Sequence, residues 1–147
     1  MLYVHRVLHP VGEGAFFTEQ FYDEKKSCVF SVVYDCGSIH DQEKALIPQI
    51  NNAFFGKEID MMFISHFDDD HVNGIEKLII AKKLTNKSKA FIPFIIPLED
   101  LYKLDAKSKK QLENYKTIFN ILKRNHVRII PVVWNLEQTY FRNVAFL

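Results

Sequence analysis

The chain has 147 residues, 48% of them hydrophobic and 14% aromatic. That length and composition suit one folded domain and exclude a disordered segment, and no apolar run approaches the roughly 20 residues needed to span a bilayer. The net charge of +1 hides a division: residues 1–75 hold 5 Lys/Arg against 12 Asp/Glu, and residues 76–147 hold 14 against 6. The basic half could attract a polyanion, or its lysines could simply be solvated helix faces. The N-terminal run with His5 and Arg6 is not a signal peptide, so the expectation is a cytoplasmic protein without a membrane partner.

Leu2 to Leu8 reads as a first strand, mostly apolar at both alternating sets of positions and so expected to be buried on both faces. His9 and Pro10 end it, and Gly12-Glu13-Gly14 forms a tight turn. Ala15 to Tyr22 and Cys28 to Tyr34 are the second and third strands, joined by a polar hairpin loop over 23–27. The chain thus opens as a β-meander. Asp35 ends the third strand before Cys36-Gly37-Ser38, a place where aspartate commonly forms a turn. Cys28 and Cys36 lie more than about 7 Å apart if a strand carries most of the intervening residues, so both are expected as buried free thiols. His40 reads as a surface residue. Asp41 to Phe55 is a helix with Leu46, Ile47, Ile50, Ala53 and Phe54 on one face, ended by Gly56. Pro48 fits only if the regular helix begins near Leu46 or Ile47.

Asp60 to Ser65 is an apolar strand that stops at His66-Phe67-Asp68-Asp69-Asp70-His71. Five potential metal ligands therefore stand in six residues at a strand exit. In extended chain His66, Asp68 and Asp70 share one side, with Asp69 and His71 on the other. Two ligand sets suit two metal ions roughly 3.5–4 Å apart; the plain alternative is an acidic surface loop that happens to hold histidines. Asn73 and Glu76 have capping-box spacing and open a helix to about Leu84. After a basic loop, Ala90 to Ile96 is a strand whose Pro93 favours an edge or a bulge. Asp105 caps a helix reaching about Asn125, with Leu112, Tyr115, Phe119 and Leu122 inward. Val127 to Trp134 is a strand broken near Pro131, and Thr139 to Leu147 reads as one more. There is no internal repeat.

Ser65-His66-Phe67-Asp68-Asp69-Asp70-His71 resembles the His-x-His-x-Asp-His loop of the metallo-β-lactamase superfamily, with Asp68 where the second histidine usually stands. This variant is similar to the hydrolase domain attached to bacterial DNA-uptake competence channels. The Gly12-x-Gly14 turn and the Asp35-x-Gly37 strand end are a second, less specific likeness, and together they cover roughly residues 4 to 85. The resemblance implies an α/β fold, the N-terminal half of an αββα sandwich, and a hydrolase using a metal-activated hydroxide. It places His66 and Asp68 on a first metal and Asp70 and His71 on a second. Asp70 would also be catalytic, orienting the water, and Asp35 would organise the floor of the site. Two zinc ions are the first expectation; aspartate at 68 makes the site oxygen-rich, so manganese or magnesium also fits. The substrate implied is a phosphodiester of the nucleic-acid type.

Further ligands in that family come from later loops: another histidine, a bridging aspartate and a last histidine. Here only His126 follows His71, and it reads as a helix-end residue; the last acidic residue is Glu137. Residues 1–147 are therefore expected as a single, incomplete domain, completed by self-association or by a missing C-terminal half. Two other functions stay open. One is a hydrolase of another ester or amide, such as a lactam or thioester. The other is a non-catalytic remnant that binds metal or a partner.

Overall fold

The structure, a computed structural model, describes residues 1–54, 57–93 and 106–132. Three antiparallel strands come first: β1 (Tyr3–Leu8), β2 (Phe17–Tyr22) and β3 (Cys28–Tyr34). Their second turn is built by Asp23, whose Oδ1 accepts the amides of Lys25 and Ser27, each at 2.9 Å. The chain then switches to parallel pairing. β4 (Met61–Phe63) joins β3, β5 (Lys89–Pro93) joins β4, and β6 (Arg128–Val132) joins β5. The strand order is β1-β2-β3-β4-β5-β6. Helices α1 (Gln42–Ala45), α2 (Ile47–Ala53), α3 (Asp69–Val72), α4 (Ile75–Ile80) and α5 (Ala106–Arg124) lie between the strands. The fold is α/β, with the expected opening meander.

Alternation along the strands sorts their side chains into two faces. Thr18, Val33, Met62, Ala90 and Ile129 form one row across the sheet. Val33, Met62 and Ala90 in that row are fully buried, in one core with Ile50, Ile75, Leu78 and Leu122 from the helices and Phe54 just after α2. The neighbouring row, on the opposite face, runs Leu8, Phe17, Tyr34, Phe63, Phe91 and Ile130. Its rings meet at centroid distances of 5.5, 5.3 and 4.6 Å.

Several sequence expectations change. β1 is not buried on both faces: among the described residues β2 is its one strand neighbour, and Tyr3, Val4 and Leu8 are exposed. The helix expected over 41–55 divides at Leu46, which leaves Pro48 in the first turn of α2, where its missing N–H costs nothing. The capping box at Asn73 and Glu76 does not form. Asn73 is already helical, at φ −68° and ψ −11°, and its side chain pairs with the backbone of Ser38 instead. β5 is an interior strand rather than an edge, and Pro93 is its last residue. Pro131 lies in β6, which has one strand neighbour among the described residues.

α5 ends as the sequence suggests. His126 takes a left-handed φ of 57°, with its N–H bonded to the Lys123 carbonyl at 3.1 Å and the Val127 N–H to that of Leu122 at 3.0 Å. Gly56, Asp105, Glu137, the far ends of the strands expected to Ile96 and Trp134, and the strand expected over Thr139 to Leu147 lie outside the described residues. Among the described residues, no helix is long and apolar enough to cross a membrane.

Candidate metal centre

β3 and β4 are parallel, so the side chains that follow them emerge at the same end of the sheet. In open α/β sheets that end is where ligands bind. Asp35 is the first residue past β3; its N–H bonds to the Phe63 carbonyl at 2.9 Å, and its φ is 52°. Aspartate tolerates this left-handed conformation better than most residues. Its buried carboxylate then gathers the neighbouring loop. Oδ1 accepts the Ser65 N–H at 2.7 Å, while Oδ2 accepts the Ser65 hydroxyl at 2.6 Å and faces His71 Nδ1 at 2.9 Å.

Backbone contacts clamp the same loops together. The Cys36 N–H donates to the His71 carbonyl and the Gly74 N–H to that of Cys36, both at 2.8 Å. The Ala15 N–H donates to the Asp70 carbonyl at 3.0 Å. Gly37 leaves no room for a side chain: a Cβ there would stand 2.5 Å from the Asp70 carbonyl oxygen and 2.6 Å from the His71 nitrogen. A Cβ on Gly14 would strike Gly37 in turn. The glycine turn at 12–14 and the Asp35-x-Gly37 strand end are thus parts of one assembly that carries Asp70 and His71.

The loop itself is extended only as far as Asp68, at φ −71° and ψ 148°. It turns helical at Asp69, so the alternation that put Asp70 beside His66 and Asp68 does not persist. The structure places the four candidate ligands as two pairs. His66 Nε2 is 3.3 Å from Asp68 Oδ2, and His71 Nε2 is 3.6 Å from Asp70 Oδ2. The two imidazole rings lie 3.8 Å apart between centroids.

Hydrogen bonding assigns the ring protons. An ionised carboxylate only accepts, so the His71 proton facing Asp35 is on Nδ1. The Ser65 hydroxyl spends its one proton on Asp35, so His66 Nδ1, at 2.8 Å, must donate to it. Each Nε2 is thereby left near a carboxylate oxygen, Asp68 Oδ2 for His66 and Asp70 Oδ2 for His71. The donor types suit divalent metal: imidazole nitrogens with a carboxylate or hydroxyl behind them and carboxylate oxygens beside them. Among the described residues, no three or more His, Cys, Asp or Glu side chains gather closely enough to hold an ion as they stand. Cys36 adds no donor, because burial pushes its thiol well up and keeps it protonated.

The sequence reading missed the partners on α5. Gln111 Nε2 donates to Asp68 Oδ1, and Asn114 Nδ2 donates to both the Phe67 carbonyl and Asp69 Oδ1, all at 2.8 Å. Lys107 Nζ lies 3.3 Å from Asp68 Oδ2, and Lys110 Nζ lies 3.6 Å from Asp69 Oδ1. The Gln111 amide, followed by Lys107 and His66, holds the Asp68 carboxyl below the usual range against a smaller opposing effect of burial. The only signal for these residues was their helical spacing, which does not say what they face. Asp69, whose role the sequence left open, belongs to this contact rather than to either histidine pair.

No family model and no curated protein matches the sequence. Among solved structures, the chain is similar to a metallo-β-lactamase superfamily protein of the archaeon Sulfolobus tokodaii, at a TM-score of 0.34 and 15% identity. The match covers 91% of this chain and 48% of that one, so this chain spans about half the length of its neighbour.

Proposed function

We propose that this chain carries the divalent-metal centre of a hydrolase acting on phosphodiester substrates. The observation behind this reading is the two imidazole–carboxylate pairs, His66 with Asp68 and His71 with Asp70, brought together at one end of the sheet. His66 and Asp68 would hold one ion, and Asp70 and His71 the other. Bound there, divalent ions supply an activated water at neutral pH and offset negative charge on the substrate. Ser65 and Asp35 fix the two rings with Nε2 forward. Asp70, on the first turn of α3, orients the water. The surplus of 14 Lys/Arg over 6 Asp/Glu beyond residue 75 supports a polyanionic substrate. The oxygen-rich pair at His66 and Asp68 admits manganese or magnesium as well as zinc.

The test begins with the metal content of protein purified without chelator, followed by titration of zinc and manganese. About two equivalents are expected; no binding by either method would overturn the reading. Hydrolysis of bis(p-nitrophenyl) phosphate then tests the substrate class. Turnover of a lactam or a thioester with no phosphodiesterase activity would leave the metal centre and replace the substrate. A second reading, a non-catalytic metal- or partner-binding domain, is favoured by the donors standing in pairs rather than in threes. Asp70→Ala separates the two, since it abolishes hydrolysis in the enzyme and spares partner affinity in a binding module.

A further inference from the structure

α5 carries two stripes. Tyr115, Ile118, Phe119 and Leu122 turn toward the core. Lys107, Gln111 and Asn114, spaced four and three residues apart, fall on one line along the helix. That line meets the acidic loop, and its contacts are of two kinds. Gln111 and Asn114 are neutral amides at 2.8 Å hydrogen-bond distance, and Asn114 ties the loop backbone at Phe67 as well. Phe67 itself is buried and meets Tyr115 edge-on, with ring centroids 5.2 Å apart. Lys107 is different: its side chain is 73% exposed, and it makes an ion-pair contact at 3.3 Å.

These contacts divide the two oxygens of Asp68. Gln111 occupies Oδ1. Oδ2 is left facing His66 Nε2 and Lys107 Nζ, each at 3.3 Å. A divalent ion shared by His66 and Asp68 must use Oδ2, the same atom that Lys107 now neutralises. We infer that Gln111 is a positioning residue that aims Asp68 Oδ2 at His66, and that Lys107 is an exchangeable counter-ion which leaves that oxygen when a divalent ion binds. The inference rests on the metal-centre reading above and adds a competition built into the fold. The chain's own ammonium and the metal are alternatives at one carboxylate oxygen.

The two residues sit one turn apart on the same helix, yet their removal should act in opposite directions. Lys107→Met keeps a good helix former and deletes the competitor. An exposed ion pair is weak, so affinity for Mn²⁺ should tighten only about twofold to fivefold. Gln111→Met removes the amide that orients a ligand, and affinity should weaken about tenfold or more. Lys110→Met is the control for a general charge effect. Its ammonium faces Asp69, which is in neither histidine pair, so its Mn²⁺ affinity should stay near that of the unaltered chain.

The experiment is calorimetric titration of Mn²⁺ into the full chain and the three variants, with urea midpoints measured without metal. Opposite shifts for Lys107→Met and Gln111→Met, at similar midpoints, support the inference. Equal weakening in both, following a drop in midpoint, would mean that α5 only braces the loop, and the inference fails. Equal tightening in Lys107→Met and Lys110→Met would mean a uniform field, and the exchange fails. No shift in any variant overturns the inference and leaves the metal centre standing. No binding by the unaltered chain or by Lys107→Met overturns the metal centre itself, and the inference with it.

Discussion

Substitution of Asp35 separates holding the loops together from preparing a ligand. Its carboxylate takes three donors: the Ser65 N–H at 2.7 Å, the Ser65 hydroxyl at 2.6 Å and His71 Nδ1 at 2.9 Å. Asp35→Ala leaves the Ser65 N–H and the His71 N–H without partners, at about 1–3 kcal/mol for each donor that water cannot reach. It also puts alanine at φ 52°, which costs about 1 kcal/mol more. A loss of about 3 kcal/mol is expected, or about 1.5 M in urea midpoint at an m-value of about 2 kcal/mol/M. Asp35→Asn is nearly isosteric, tolerates the same φ, and keeps an oxygen for the Ser65 N–H. Its stability loss should be about 1 kcal/mol. Its NH₂, however, stands where Oδ2 stood and must donate, so His71 Nδ1 must accept and the ring proton moves to Nε2. That nitrogen then has no lone pair for a metal, and affinity at the His71 and Asp70 pair should fall about 10- to 100-fold. Calorimetric titration, urea unfolding and two-bond ¹H–¹⁵N spectra of the imidazoles report the three quantities separately. If Asp35→Asn binds metal like the unaltered chain, or if affinity merely tracks stability in both variants, the reasoning is wrong.

Three further outcomes follow from the structure. Gly37→Ala drives a methyl into the Asp70 carbonyl and the His71 nitrogen, so it should cost about 1–3 kcal/mol and displace both ligands; unfolding and metal titration of the variant that match the unaltered chain would refute the close packing. Burial, with a smaller contribution from nearby His5, holds the His9 imidazole below its usual 6.5 against the opposing effect of a hydrogen bond the ring donates to Gln49. A folded-state pKa below the unfolded one means that stability is complete above pH 6.5 and is lost as pH falls from there through the lower folded value. His9→Gln should flatten the urea midpoint between pH 7.5 and pH 5 by that share, and an unchanged slope would count against it. Cys36 is fully buried, with its thiol pushed well up, whereas Cys28 is partly exposed; a thiol reagent should therefore label Cys28 first and Cys36 only on unfolding, and equal labelling rates would contradict the packing.

What the sequence made legible was whatever depends on local pattern. Period-two runs with a polar break between them specify the meander, and the apolar run into His66 specifies a ligand-rich strand exit. Pro48 even marked where a helix must restart. What escaped depends on residues far apart in the chain. Asn73 and Glu76 have capping-box spacing, but the box is a local option, and Ser38, 35 residues away, offers Asn73 two hydrogen bonds instead. Strand alternation through Asp70 failed for a related reason. The Asp70 and His71 carbonyls are claimed by Ala15 and Cys36, which fits a helical turn at α3 rather than continued strand. β1 looked doubly buried because apolar side chains do not reveal whether a neighbouring strand exists. Gln111 and Asn114 were invisible because a polar helix stripe looks the same whether it faces water or a neighbouring loop.

The two halves of the candidate centre are braced from opposite sides, and this has a measurable consequence. Asp35, at the end of β3, serves His71; Gln111, on α5, serves Asp68. Were the two pairs independent, the affinity losses from Asp35→Asn and Gln111→Met would each belong to a separate ion, and in the double variant they would add. The rings of His66 and His71 lie only 3.8 Å apart, however, and Ser65 contacts both Asp35 and His66. Groups this close, sharing a partner, usually couple by about 0.5–3 kcal/mol. Rotating the Ser65 hydroxyl to meet the asparagine NH₂ also disturbs the donor–acceptor order at His66. Asp35→Asn should therefore weaken both ions, and Gln111→Met should do less further harm in that background than alone. Strict additivity in a double-mutant cycle of metal binding would mean two separate sites, and the shared role assigned to Ser65 would be wrong.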